Sequence, residues 1–123
     1  MYEISVHSYF SGAHRLRYLH GKCEELHGHN WKVEATVASP RLGKEGVVID
    51  FGILKQKVEK VLKSLDHSFL NDLPYFSGIE PSSENIAKYI FDRLKSELKG
   101  QPGMLRSVAA WESEASRATY FGR

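Results

Sequence analysis

From the second residue the chain alternates: Tyr2, Ile4 and Val6 fall on one side and Glu3, Ser5 and His7 on the other, the period of a half-buried strand, which predicts strand to about Ala13. A long loop follows. Trp31, Val33, Ala35 and Val37 then share one face against Lys32, Glu34 and Thr36, until Pro40 stops the strand. The period next lengthens. Leu54, Val58, Val61, Leu62 and Leu65 form one helical stripe behind Asp50, a residue suited to an N-cap, and this helix ends near Asp66 and His67. A second helix begins after Pro81 with Ser82 or Ser83 as cap and Glu84 in its first turn; it buries Ile86, Ile90, Leu94 and Leu98 and breaks at Gly100 to Gly103. Leu105 to Glu112 and Ser116 to Phe121 read as two strands joined by a turn near Glu114.

The predicted order is β-β-α-α-β-β. Each strand has one apolar face, so the expected class is α+β, with two helices covering one side of a four-stranded antiparallel sheet. Neither edge carries a proline or lysine-rich guard. Closing such edges against further copies of the chain removes them, which predicts an oligomer.

Composition narrows the classes. The 123 residues suit a single domain, 1–123, with 41% hydrophobic and 26% charged residues. A net charge of +2, without a basic patch interleaved with aromatics, argues against a nucleic-acid partner. The longest near-apolar run, 46–54, is interrupted by Asp50 and is too short to span a bilayer, so no membrane role is expected. One cysteine and no apolar leader make the cytoplasm the expected compartment.

The chemistry gathers around CEELHGHNW, residues 23 to 31. His27 and His29, two apart on a strand, project from one face with only Gly28 between them. Alone, such a pair is as readily two solvated imidazoles as a metal site. His14 strengthens the metal reading, because an antiparallel neighbour brings the end of the first strand beside the start of the second. Three imidazoles without a fourth protein ligand describe a catalytic zinc site with an open position; Cys23 as a fourth ligand would make the site closed and structural. Asp66 and His67 suit either a helix-terminal charge pairing or a proton relay. Glu112 suits either solvent or, if buried, two donors of a heterocycle. His7 and His20 have no partner at useful spacing, and Tyr18, Trp31 and Phe51 read as core or interface aromatics.

Together FSGAHRL, CEELHGHNW, VVIDFGILK, LDHSFLN, EPSSENIA and AAWESEASRATY resemble the 6-pyruvoyltetrahydropterin synthase family, and within it the 6-carboxytetrahydropterin synthase branch. The resemblance covers almost the whole chain. It implies a tunnelling fold (T-fold), in which three subunits close a barrel and two rings stack into a hexamer with active sites between subunits. It also implies zinc on His14, His27 and His29, with Cys23 as the catalytic cysteine. Asp66 and His67 match an acid-base pair supplied across a subunit boundary, and Glu112 matches the carboxylate that anchors the pterin ring. Ser82, Ser83 and Glu84 match the segment lining the pterin pocket, with serine at Ser82 where the family usually has threonine.

The implied reaction converts 7,8-dihydroneopterin triphosphate to 6-carboxy-5,6,7,8-tetrahydropterin, releasing acetaldehyde and triphosphate, on the route to queuosine and related deazapurines. Only Glu24, Glu25 and Leu26 separate Cys23 from HGH, as in the carboxy branch, whereas the pyruvoyl enzymes of animals carry a longer insertion. Leu26 and Cys23 also stand where relatives with a folate-related aldolase activity tend to carry glutamate. The alternatives are the pyruvoyl synthase reaction, an elimination of triphosphate, and a non-catalytic zinc scaffold in which Cys23 completes the metal shell.

Overall fold

The computed structural model describes residues 1–18 and 25–122. Strand β1 (Tyr2–His14) pairs antiparallel with β2 (His27–Ser39) without a break, from Tyr2 opposite Ser39 to His14 opposite His27. Both strands keep the period read from the sequence. Val6, Phe10 and His14 are buried on β1, and Trp31, Val33, Ala35 and Val37 on β2. Helix α1 (Phe51–Leu62) starts where the Asp50 side chain accepts the Ile53 N–H at 3.1 Å, and buries Leu54, Val58, Val61 and Leu62. Helix α2 (Ser83–Glu97) starts at Ser82, whose hydroxyl accepts the Asn85 N–H at 3.2 Å.

The sheet has one strand more than the pattern predicts. A two-residue strand, β3 (Ser68–Phe69), lies parallel to β1 at Gly12 and Ala13, followed by 3-10 turns at Leu70–Asp72 and Pro74–Phe76. Two residues are too few to show an alternation. With β4 (Met104–Ser113) and β5 (Ser116–Phe121), the sheet order is β3-β1-β2-β4-β5, antiparallel except at β3.

Both helices cover one face. Trp31, Leu54, Leu65, Phe76, Ile86, Ile90 and Leu94 are sealed between helices and sheet. Gly103 has a φ of +84° in the turn into β4, and a Cβ there would come within 2.7 Å of Val37 Cγ1. The other face is polar. Ser5 bonds Thr36 at 2.8 Å, and His7 bonds Glu34 at 2.9 Å, a cross-strand partner that sequence spacing does not reveal. Trp31 is core as expected, whereas Tyr18 and Phe51 are exposed on this chain. Among the described residues, no strand pairs with the outer edge of β5, and β3 pairs with β1 at Gly12 and Ala13 alone. Among the described residues, no helix is long and apolar enough to cross a membrane.

Candidate functional site

The antiparallel register places His14 opposite His27 and Gly12 opposite His29. Because alternate side chains share a face, His27 and His29 lie on the side of the sheet that carries Trp31 and Val33. That side carries the core, so the histidines extend the buried face beyond the last apolar layer. The rings of His14, His27 and His29 stand 4.6 to 5.2 Å apart, with the edge of Trp31 beneath two of them.

Glu112 arrives from β4. The β4–β5 register shifts between Trp111 and Ser113, which makes Glu112 the extra residue of a bulge, a device that re-aims side chains. Its Oε1 stands 2.8 Å from His29 Nε2, 3.9 Å from His27 Nε2 and 4.0 Å from His14 Nε2. The other oxygen, Oε2, accepts the Ser83 hydroxyl at 3.2 Å. The sequence resemblance assigns Glu112 to a ring, not to this cluster. No periodicity signals a bulge, so its position beside the histidines was not legible beforehand.

The group fits a metal ion. One ligand atom from each of His14, His27, His29 and Glu112 lies within 4.8 Å of all the others. His14 Nδ1 donates to the Pro81 carbonyl at 2.7 Å and His27 Nδ1 to the Glu25 carbonyl at 2.9 Å, which leaves each Nε2 lone pair free. The Nε2 atoms of His14 and His29 are buried without a hydrogen-bond partner among the described residues. A buried imidazole nitrogen in that state lacks a partner that a cation supplies. Burial lowers the pKa of His14 against the opposing pull of the Pro81 carbonyl and Glu112, which favours the neutral ring, the form that ligates.

Asp66 and His67 are not part of this ligand group. The Asp66 carboxylate accepts the Ser11 N–H at 2.8 Å and lies 3.0 Å from His67 Nδ1. These contacts, the Ser11 N–H first, hold its pKa below the usual carboxylate value. His67 is exposed, and its φ of 54° is the single positive value at a non-glycine residue among those described. Its N–H bonds the Ser11 carbonyl at 2.6 Å, which pins the unusual conformation. His67 borders an open groove of about 490 Å³ that runs past Gly12, Gly28 and His29. Among the described residues, a Cβ at Gly28 would meet the Gly12 carbonyl alone, at an ordinary 3.6 Å.

Ser82 is occupied as the α2 cap, Ser83 holds Glu112, and Glu84 is exposed in the first turn. Cys23 and His20 lie outside the described residues. The segment leading towards them is tied down by Glu80, whose carboxylate accepts the Arg17 and Tyr18 N–H groups and pairs with the Arg17 guanidinium at 3.0 Å. Sequence reasoning missed this clamp, because its partners are far apart in the chain.

A site of this chemistry on this fold has known relatives. The family described as 6-pyruvoyl tetrahydropterin synthase matches residues 3–123. The chain belongs to that family. It is similar to a Synechocystis 6-carboxy-5,6,7,8-tetrahydropterin synthase, at 45% identity over 91% of this chain and 87% of the relative. It is also similar to the human 6-pyruvoyl tetrahydrobiopterin synthase, at 34% identity over 98% and 91%. Its fold matches the Caenorhabditis elegans 6-pyruvoyl tetrahydropterin synthase with a TM-score of 0.85 and 28% identity, covering 99% of this chain and 96% of that one. The architecture is therefore the T-fold expected from the sequence, and membership makes the chain a pterin synthase of lyase type.

Proposed function

We propose that this pterin synthase is a zinc-dependent 6-carboxy-5,6,7,8-tetrahydropterin synthase acting on 7,8-dihydroneopterin triphosphate and releasing acetaldehyde and triphosphate. The carrying observation is the convergence of three imidazoles, two with Nδ1 held by carbonyls, on one point in a chain of this family. The carboxy branch is supported by the 45% identical relative of that name and by the short spacing from Cys23 to HGH. The product would feed queuosine and related deazapurines in the cytoplasm.

Zinc, when bound, supplies positive charge that stabilises negative charge developing on the oxygens of the substrate side chain. Cys23 acts as base towards a side-chain carbon, and thiolate character near a cation makes that reasonable at neutral pH. Asp66 fixes His67 through Nδ1, so Nε2 is the atom that carries a proton onward. Glu112 accepts from the amino and amide donors of the pterin, and Ser83 steadies that carboxylate. Ser82, Ser83 and Glu84 form the pocket wall at the start of α2.

Asp66 and His67 are not among the ligand atoms of the cluster, and the family resemblance supplies such a pair across a subunit boundary. Three chains closing their open sheet edges into a barrel, and two rings stacking into a hexamer, would bring pair and cluster together. The deciding experiment is incubation of zinc-loaded protein with 7,8-dihydroneopterin triphosphate and mass analysis of the products. The human and nematode relatives favour a second reading, the pyruvoyl synthase reaction. Its product differs in mass, so the same assay separates the two.

A further inference from the structure

We infer that Glu112 is a protein ligand to the metal until substrate arrives, and that the incoming pterin ring takes this carboxylate from the metal. Ring recognition then opens the coordination position that the side chain needs. The inference rests on the pterin reading above.

Geometry carries the first half. Ligands at about 2.0–2.1 Å in a tetrahedral zinc site stand about 3.3 Å from one another. The distances from Glu112 Oε1 to the three Nε2 atoms, 2.8, 3.9 and 4.0 Å, straddle that edge length. The shortest of them still fails as a hydrogen bond, since His29 Nε2 remains without a partner. Atoms that are close yet not aimed at each other are what a shared central ion requires. The bulge at Glu112 turns its side chain towards the histidine face.

Exchange follows from the rest of its setting. The Glu112 side chain is 36% exposed, so a ligand can reach it, whereas His14 at 2% is fixed. Ser83 holds Oε2 from the first turn of α2, where the helix N-terminus favours a carboxylate. The carboxylate can therefore leave the ion without losing its support. With Oε1 turned to the ion and Oε2 held by Ser83, the carboxylate does not present both oxygens to a pair of ring donors until it leaves the ion. Metal and a ring without side-chain oxygens must accordingly oppose each other's binding, and linkage makes the opposition reciprocal.

Cobalt(II) is the spectroscopic probe, and 6-methylpterin, which has no side-chain oxygens, is the ring probe. Glu112→Gln and Glu112→Ala should each bind cobalt about tenfold or more weakly than the parent and show altered visible bands. Adding 6-methylpterin to the cobalt-loaded parent should shift its bands towards those of Glu112→Ala, and the metal-free parent should bind the ring more tightly than the loaded one. Parent-like cobalt affinity and bands in both variants would overturn the ligand assignment. Ring binding, followed by pterin fluorescence, that leaves the parent bands unchanged would overturn the exchange. A chain that binds no ring, loaded or metal-free, removes the pterin reading and the exchange with it; the cobalt titration still judges Glu112 as a ligand.

Discussion

His14 Nδ1 stands 2.7 Å from the carbonyl oxygen of Pro81, so the end of β1 is joined through an imidazole to the residue before the α2 cap. The bond does two jobs. It frees Nε2 for a metal, and it satisfies a carbonyl at a buried proline. His14→Ala should therefore abolish metal binding and also cost about 1–3 kcal/mol by stranding that carbonyl. His27→Ala, whose partner is the exposed Glu25, should lose metal with a smaller loss of stability. Metal content and denaturant unfolding of the two metal-free variants check the contrast, and equal stabilities would contradict it.

Cys23→Ala separates a base from a ligand. The variant should keep near-full zinc and the melting temperature of the parent while turnover falls by about 10² or more. A zinc-free, unstable variant would instead favour the scaffold reading, because a structural ligand's binding energy is part of the folding energy.

Asp66 gives a pH signature. Its folded pKa lies below the ordinary 3.8, so the carboxylate's contribution to stability is fully present above that value and is lost as pH falls from it through the folded pKa. Asp66→Asn should flatten the acid limb of an unfolding profile below about pH 4 and leave the neutral region unchanged in slope. Turnover should drop about tenfold or more, since His67 loses the group that orients it. An acid limb equally steep in the variant would show that Asp66 gains nothing on folding.

How much of this was legible in the sequence depends on range. Asp50 and Ser82 signal their helices because a cap acts within three residues, and Trp31 to Val37 signal a strand because alternation is local. The histidine trio was legible too, through the antiparallel pairing of His14 with His27. The approach of Glu112 to the histidines was not legible, because a bulge depends on a register between strands. Strand β3 and the Glu80 clamp were missed for the same reason: their partners, Gly12 and Arg17, are more than fifty residues away.

Glu80→Ala tests that clamp. Removing one acceptor shared by Arg17 and Tyr18 should cost about 1–3 kcal/mol and lower turnover, while zinc content stays at the parent level. Thermal unfolding, metal analysis and a kinetic assay on one preparation check it. Unchanged turnover would mean that the segment before Cys23 needs no anchor.

If edges left open among the described residues close into the three-chain barrel proposed above, the native mass should be a multiple of three chains by light scattering. A stable monomer would contradict both the barrel and the shared active site.

The unbroken β1–β2 register has a consequence for folding fidelity. A slip of one residue would turn Val6, Phe10 and His14 away from the helices together, so the hairpin cannot misalign and keep either its core or its imidazole cluster. Metal binding thus acts as a check on assembly: only a chain that has found its alignment captures the ion, and capture then traps it there.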